Sequence, residues 1–369
     1  MQNMPNHDVQ LRLKILQAVI EDHGPLQLQR KLQKMRLERP DLSWESLVGN
    51  AVAEYEPGYQ LEVNLASMAE KDIRFLTYFD QAYPLLLKGL EDPPVLLFYR
   101  GTLANLHKPG LAMVGARQAT AYGRQLTRKI AGDLSRLGFV VISGLARGID
   151  AAAHEASLEV GGATTGVLGS GLDRIYPAEH RGLAEAMVDR DQLLISEWPP
   201  GCPPKPHHFP IRNRLISGLS QGVIVIEAAA KSGSLITARH ALDQGKHLFA
   251  VPGLITNPMA KGPNGLIARG EAQLFESVET VLEQLGPLLL RAQAHEEQKA
   301  VAIKDPLARK IYDTLDSFEP ISLDLLTIKL GVPAPLITAN LVTLESHNLV
   351  SRQPGPVFFR NPLQAPSKE

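Results

Sequence analysis

Cysteine is nearly absent from this sequence of 369 residues. Cys202 stands alone, which excludes an internal disulfide, and no Cys/His cluster has zinc-finger spacing, so no structural metal is expected. Excess charge is lacking too: 38 basic against 39 acidic residues leave a net charge of −1, unlike a chain that coats nucleic acid through bulk positive charge. Any nucleic-acid site must therefore concentrate its cations locally. No apolar run is long enough to cross a bilayer, and Asn6, His7, Asp8 and Gln10 stand where a signal peptide would carry its apolar core. The chain is expected to be cytoplasmic. Internal repeats and low-complexity tracts are absent as well.

What is present is an ordinary globular composition, 44% apolar and 21% charged, at a length that calls for two or three domains. Residues 1 to about 90 read as short helices. Leu11, Leu13, Ile15, Leu16, Val19 and Ile20 recur near helical spacing, and Gly24-Pro25, Arg39-Pro40 and Pro57-Gly58 punctuate the pattern. A small helical (SAM-like) domain is expected there, serving as an interaction or dimer-support module.

From about residue 96 to 285 short apolar runs alternate with helical stretches. Strands are expected at 111–114, 139–142, 164–168, 193–196, 223–226 and 247–251. Runs this apolar are buried on both faces, so the sheet is mainly parallel, and the alternation makes it an open, Rossmann-like α/β domain. Residues 286–304 read as a polar linker. Residues 305 to about 362 read as three helices followed by a β-hairpin around Pro354-Gly355-Pro356, which is winged-helix geometry.

Ligands of open parallel sheets sit at the carboxyl ends of the strands. Four such loops carry candidate residues. Gly115-Ala116-Arg117 follows the first strand of the α/β segment. Gly115 permits close backbone approach, and Arg117 stands where a phosphate would lie, although the loop lacks the second close glycine of the dinucleotide fingerprint. Taken alone it reads equally as a tight turn with a surface arginine. The next loop, Ser143 to Asp150, brings Gly144, Gly148 and a further arginine. Asp150 is placed to cap the following helix, and His154 lies one turn beyond it, so the pair could hydrogen-bond; no nucleophile is identifiable beside them. Gly169-Ser170-Gly171, before Asp173, reads as a shaped turn.

The fourth region is the most informative. Between Pro199 and Val225 there is no acidic residue, and Phe209-Pro210-Ile211-Arg212-Asn213-Arg214 opens a helix. Two arginines, an asparagine and an aromatic are suited to gripping phosphates and stacking a base. Glu227 is placed to orient Arg212 or Arg214. Ser232-Gly233-Ser234 then starts a helix with small hydroxyl-bearing residues, the composition of an anion site.

The strings MVGARQATAYG, VVISGLARGIDAAAHEASL, HFPIRNRLISGLS and VIVIEAAAKSGSLITARHALDQGKHLFAVPG resemble, in order, the successive motifs of the DNA-processing protein A (DprA, or Smf) family. The likeness covers about residues 75 to 282. The resemblance implies a non-enzymatic protein that binds single-stranded DNA without a cofactor, forms homodimers through its Rossmann-like domain and helps load RecA recombinase during natural transformation. Carried over by motif, Gly115 and Arg117 meet phosphate, and Gly144 and Gly148 shape the adjoining wall. Arg212, Asn213 and Arg214 line a basic pocket, and Ser232, Gly233 and Ser234 complete its rim. Two positions depart from the family pattern. Ala116 replaces a frequent serine, and Ala178 replaces a frequent lysine for which Arg174 or Arg181 would substitute.

Two other classes compete. A phosphoribohydrolase of the wider Rossmann-like group would carry a Pro-Gly-Gly-x-Gly-Thr loop, where this chain has Ala229-Ala230-Lys231-Ser232-Gly233-Ser234. A winged-helix transcription regulator would need a basic recognition helix, but the stretch from Ala334 to His347 holds neither lysine nor arginine and includes Glu345.

Overall fold

Glycine-bounded apolar runs become strands wherever both of their faces find helices to pack against. The computed structural model describes residues 6–22, 24–286, 305–315, 321–346, 349–353 and 355–360. Of the expected linker at 286–304, residues 287–304 lie outside the described residues. The chain divides into two units, Met1–Leu285 and Gly286–Glu369.

The first unit opens with helices α1 (Asn6–Glu21), α2 (Leu26–Glu38), α3 (Trp44–Ala51) and α4 (Tyr59–Glu70). Strand β1 (Arg74–Thr77), the single turn α5 (Leu85–Lys88) and strand β2 (Leu96–Arg100) follow. The α/β alternation then runs β3 (Gly110–Val114), α6 (Ala121–Arg136), β4 (Val140–Ser143), α7 (Ile149–Glu159), β5 (Thr164–Leu168), α8 (Arg181–Asp189) and β6 (Leu193–Ser196). It continues with α9 (His208–Gly218), β7 (Gly222–Val225), α10 (Ser234–Asp243), β8 (His247–Ala250), α11 (Lys261–Ala268) and β9 (Gln273–Leu274).

The sheet has the order β1-β2-β6-β5-β4-β3-β7-β8-β9. All six expected strands are found within a residue or so of their expected bounds, and they pair in parallel. Three further strands were not expected. β1 and β2 pair antiparallel with each other, and β2 pairs antiparallel with β6, so the sheet is mixed at that edge. β9 adds two residues beside β8.

The expected helical range 1–90 thus contributes β1 to the sheet, and its helices share a core with it. Leu16, Leu32 and Leu47 belong to one buried cluster with Phe98, Leu168 and Leu194. Along β2 the side chains alternate as a strand requires: Leu97 packs toward Ile195 and Leu215 on one face, while Leu96 and Phe98 pack toward the N-terminal helices on the other.

In the second unit, helices Pro306–Thr314, Leu323–Leu330 and Ala334–Ser346 pack on a small sheet of β10 (Ile321–Ser322), β12 (Val357–Arg360) and β11 (Val350–Gln353). Ile311, Leu326, Ile337, Leu341 and Phe358 form its core. The termini follow sequence logic. Asp305 accepts from the Leu307 amide at 2.7 Å, Ser322 caps the second helix, and Gly331 ends that helix at φ 64°. This is the expected winged helix. Among the described residues no single helix is long and apolar enough to cross a membrane.

Candidate functional site

The strand order reverses between β3 and β7, and that is where a doubly wound sheet opens a crevice at its carboxyl edge. A cavity of about 620 Å³ occupies this position. Of the ten residues expected to form a binding site, Gly115, Arg117, Arg212, Asn213, Ser232, Gly233 and Ser234 line it, Gly144 and Gly148 shape its wall from behind, and Arg214 lies elsewhere.

Backbone crossing builds the floor. The Ala116 amide donates to the Glu227 carbonyl at 2.6 Å, which ties the β3–α6 loop to the end of β7. A Cβ at Gly115 would lie 2.5 Å from Ile149 Cγ1 and 2.9 Å from that same carbonyl oxygen, so no side chain fits. Gly148, at φ 77°, passes against the carbonyls of Ala116 and Arg117. The loop after β4 is thereby pressed onto the loop after β3.

Arg117 is left on the rim. Its side chain is exposed and has no hydrogen bond or ion pair among the described residues; its guanidinium lies 5.5 Å over the Phe209 ring. Phe209 opens α9 and meets Tyr176 at 5.4 Å, so a cation and two aromatic rings stand together at the mouth. Phe209 was expected to stack a base, but Tyr176 did not stand out in the sequence. The aromatic at the start of the arginine-bearing helix was signal enough for the first, and nothing local pointed to the second.

Arg212 faces inward instead. It is 4% exposed and donates to the carbonyl of Gly144 at 2.8 Å, to the carbonyl of Val167 and to Asn213 Oδ1 at 3.3 Å. Beneath it Asp150 accepts from the amides of Gly144 and Ala146 at 3.1 and 3.3 Å. Burial pushes the Arg212 pKa down to about 10, with Asp150 opposing the shift, and burial raises the Asp150 carboxyl against the pull of Arg212. The pair ties the loop after β4 to strand β5. Asp150 is therefore not the expected cap of α7; its carboxylate reaches back to the preceding loop. Nor does it meet His154, whose Nδ1 pairs with Thr164 Oγ1 at 2.7 Å and whose pKa burial pushes down to about 3.

Arg214 points away from the cavity. It is 4% exposed, lies 2.6 Å from Glu197 and 3.1 Å from Asp92, and joins α9 to the chain before β2. Glu227 orients neither arginine. Its carboxylate accepts from the Thr120 amide at 2.9 Å and from the Thr120 hydroxyl at 2.6 Å, at the start of α6. Asn213 reaches the Gly233 carbonyl at 3.2 Å and fixes the α10 loop to α9. In that loop Ser232 and Ser234 pair through their hydroxyls at 2.7 Å, with the positive end of the α10 dipole toward the cavity. His208 stacks on Trp198 at 3.4 Å between centroids, and burial pushes its pKa down to about 4, so it adds no charge at neutral pH.

Ala116 is buried in the floor, where its amide and carbonyl serve the loop crossing. Neither arginine expected to replace the lysine at Ala178 reaches this cavity. Arg174 lines a cleft against α1 and α4, and Arg181 lies beside Arg100 and Glu185.

Comparison with known proteins places this arrangement in context. Residues 74–286 match the family described as DNA recombination-mediator protein A, and residues 295–356 match the DprA winged helix domain. The chain is 43% identical to the DNA processing protein DprA of Bacillus subtilis over 237 residues, 64% of this chain and 78% of that protein. It is 38% identical to the Smf protein of Escherichia coli over 306 residues, 81% of this chain and 80% of that one. The crystal structure of DprA from Streptococcus pneumoniae aligns with a TM-score of 0.59 at 33% identity, covering 77% of this chain and 98% of that one. A structure of the Helicobacter pylori protein, described for its single-stranded DNA binding mode, aligns with a TM-score of 0.51 at 32% identity over 58% of this chain and 95% of that one.

Proposed function

Because the chain belongs to the DNA recombination-mediator protein A family, we propose that its switch-point cavity binds single-stranded DNA without altering it chemically. One observation carries this reading: Arg117, free of any acidic partner among the described residues, lies over Phe209 at the mouth of a cavity that the α10 N-terminus also faces. Arg117 supplies charge to a phosphate, Phe209 and Tyr176 offer faces on which bases stack, and Ser232, Gly233 and Ser234 offer polar groups to a second phosphate. Gly115, Gly144 and Gly148 keep the wall thin enough for a backbone to approach, while Arg212 and Asn213 brace it through their hydrogen bonds.

The absence of a catalytic role is part of the proposal. Asp150 is occupied by two amides and the Arg212 charge, and His154 is buried beside Thr164, so these two do not form an acid–base couple. By the same family membership we infer that the protein works as a homodimer through its Rossmann-like unit. Its role is to protect incoming single strands and help load RecA recombinase on them in transformation and recombination.

Fluorescence anisotropy of a labelled oligothymidine over a salt series tests the reading. Wild type should bind with an affinity that falls as salt rises. Arg117→Ala should weaken binding about ten-fold and lower the log–log salt slope by about 0.7, the value of one single-strand phosphate contact. Phe209→Ala should cost about 1–3 kcal/mol of binding through lost stacking. Both variants should keep the wild-type urea midpoint. If wild type ignores single strands, the DNA reading fails; turnover of a nucleoside monophosphate would then move the protein to the phosphoribohydrolase class.

A further inference from the structure

A second cleft, of about 770 Å³, opens where the N-terminal helices meet the sheet. α1 contributes Gln17, α4 contributes Asn64 and Ser67, the loop after β5 contributes Arg174, and the segment before α9 contributes Lys205. Gln17 is 6% exposed; its Nε2 donates to Glu21, and its Oε1 is buried with no partner among the described residues. A buried amide oxygen without a donor is costly, and it marks a place where a donor from a ligand is accommodated.

The charges of the cleft are unevenly committed. Asp173 is held by Lys71 at 3.0 Å and by the Gly201 amide at 2.7 Å, and Glu21 is engaged by Gln17. Arg174 and Lys205 are exposed and form no ion pair among the described residues. Both also lie on segments that lead directly to the switch-point cavity. Lys205 is followed by Pro206, which lines that cavity, and Arg174 precedes by two residues the Tyr176 that meets Phe209 at 5.4 Å. Two residues of extended chain span at most roughly 7 Å, about two nucleotides stacked at ~3.4 Å each.

We propose that this cleft is a second subsite for the same single strand, taking nucleotides that flank those held over Phe209. Arg174 and Lys205 meet their phosphates, and Gln17 Oε1 accepts from the N–H of a base, which all four DNA bases offer, through the exocyclic amine of adenine, guanine and cytosine or the ring N3–H of thymine. The N-terminal helices thus become part of the DNA track. This deepens the single-stranded DNA reading and rests on it.

Oligothymidines of roughly 4 and roughly 16 nucleotides, the limits of a single-strand site, separate the two sites in the full-length protein. Wild type should prefer the longer strand. The Arg174→Ala/Lys205→Ala double variant should lose about ten-fold on the longer strand, with a salt slope lower by about 1.4 for two lost contacts, and nothing on the shorter one. Gln17→Leu, which removes the orphaned oxygen and should fold at least as well, should weaken the longer strand only. Equal loss at both lengths would place the cations in the central cavity and overturn the proposal; so would unchanged binding of the longer strand by the double variant. Failure of wild type to bind either length would show, before any variant is measured, that the underlying DNA reading is at fault and the subsite with it.

Discussion

Arg212→Ala is expected to lower the unfolding free energy by about 3–5 kcal/mol, the cost of removing one partner from a buried charge pair. The substitution strands three groups at once. The carbonyls of Gly144 and Val167 lose their donor, and Asp150 keeps a buried carboxylate with its principal cation gone. The effect depends on pH in a defined direction. Burial already holds the Asp150 pKa above its ordinary value of 3.8, and loss of Arg212 raises it further. A raised carboxyl favours the folded state while both states are protonated, and that advantage is lost as pH rises through the folded-state pKa. The variant's deficit should therefore be smallest below about pH 3.8 and grow toward neutrality. Urea midpoints across pH measure this. An Arg212→Ala variant as stable as wild type at neutral pH, but defective on single strands, would make Arg212 a phosphate ligand and refute its structural assignment.

Arg214→Ala should cost a similar ~3–5 kcal/mol for the same reason at a different junction. Glu197 is 2% exposed, takes its bond from Arg214 at 2.6 Å and accepts from Gln29 of α2 at 2.8 Å. Burial pushes the Glu197 carboxyl up, and the Arg214 guanidinium opposes that push. Adding Glu197→Gln to Arg214→Ala removes the stranded charge while keeping an oxygen for Gln29. The double variant should therefore be less destabilised than the sum of the two single ones, by about 1 kcal/mol or more. Strict additivity would mean that the two side chains do not stabilise each other.

These two arginines also mark the limit of what the sequence discloses. Both stand in a stretch from Pro199 to Val225 without a single acidic residue, which is why both were expected to face phosphate. Their partners are distant in the chain: Asp92, Glu197 and the carbonyls of Gly144 and Val167. One local clue was available. Residues two apart on a helix point roughly 200° away from each other, so Arg212 and Arg214 could not line the same wall.

The parallel strands were legible because burial on both faces leaves uninterrupted apolar runs, as in Leu193–Ser196. β1 was not, because Arg74-Phe75-Leu76-Thr77 follows closely on a helical stretch and is too short to show a period, with only Leu76 and Thr77 buried. The position of Arg117 and Gly115 beside the cavity was readable from the strand exit at the sheet's carboxyl edge, although that loop alone reads equally as a tight turn. The Phe209–Tyr176 contact joins segments more than thirty residues apart in sequence and needed the fold to bring it together.

Gly24, at φ 145°, sits where an added Cβ would lie 2.6 Å from the Trp198 ring, and Trp198 itself is 3% exposed. The α1–α2 turn is thus the lid over an indole that belongs to the segment after β6. Heat absorbed by the first unit should accordingly appear as one peak in a calorimetric scan. The helices before β1 have no separate melting point to display, because losing them would wet Trp198, Phe98 and Leu168 together.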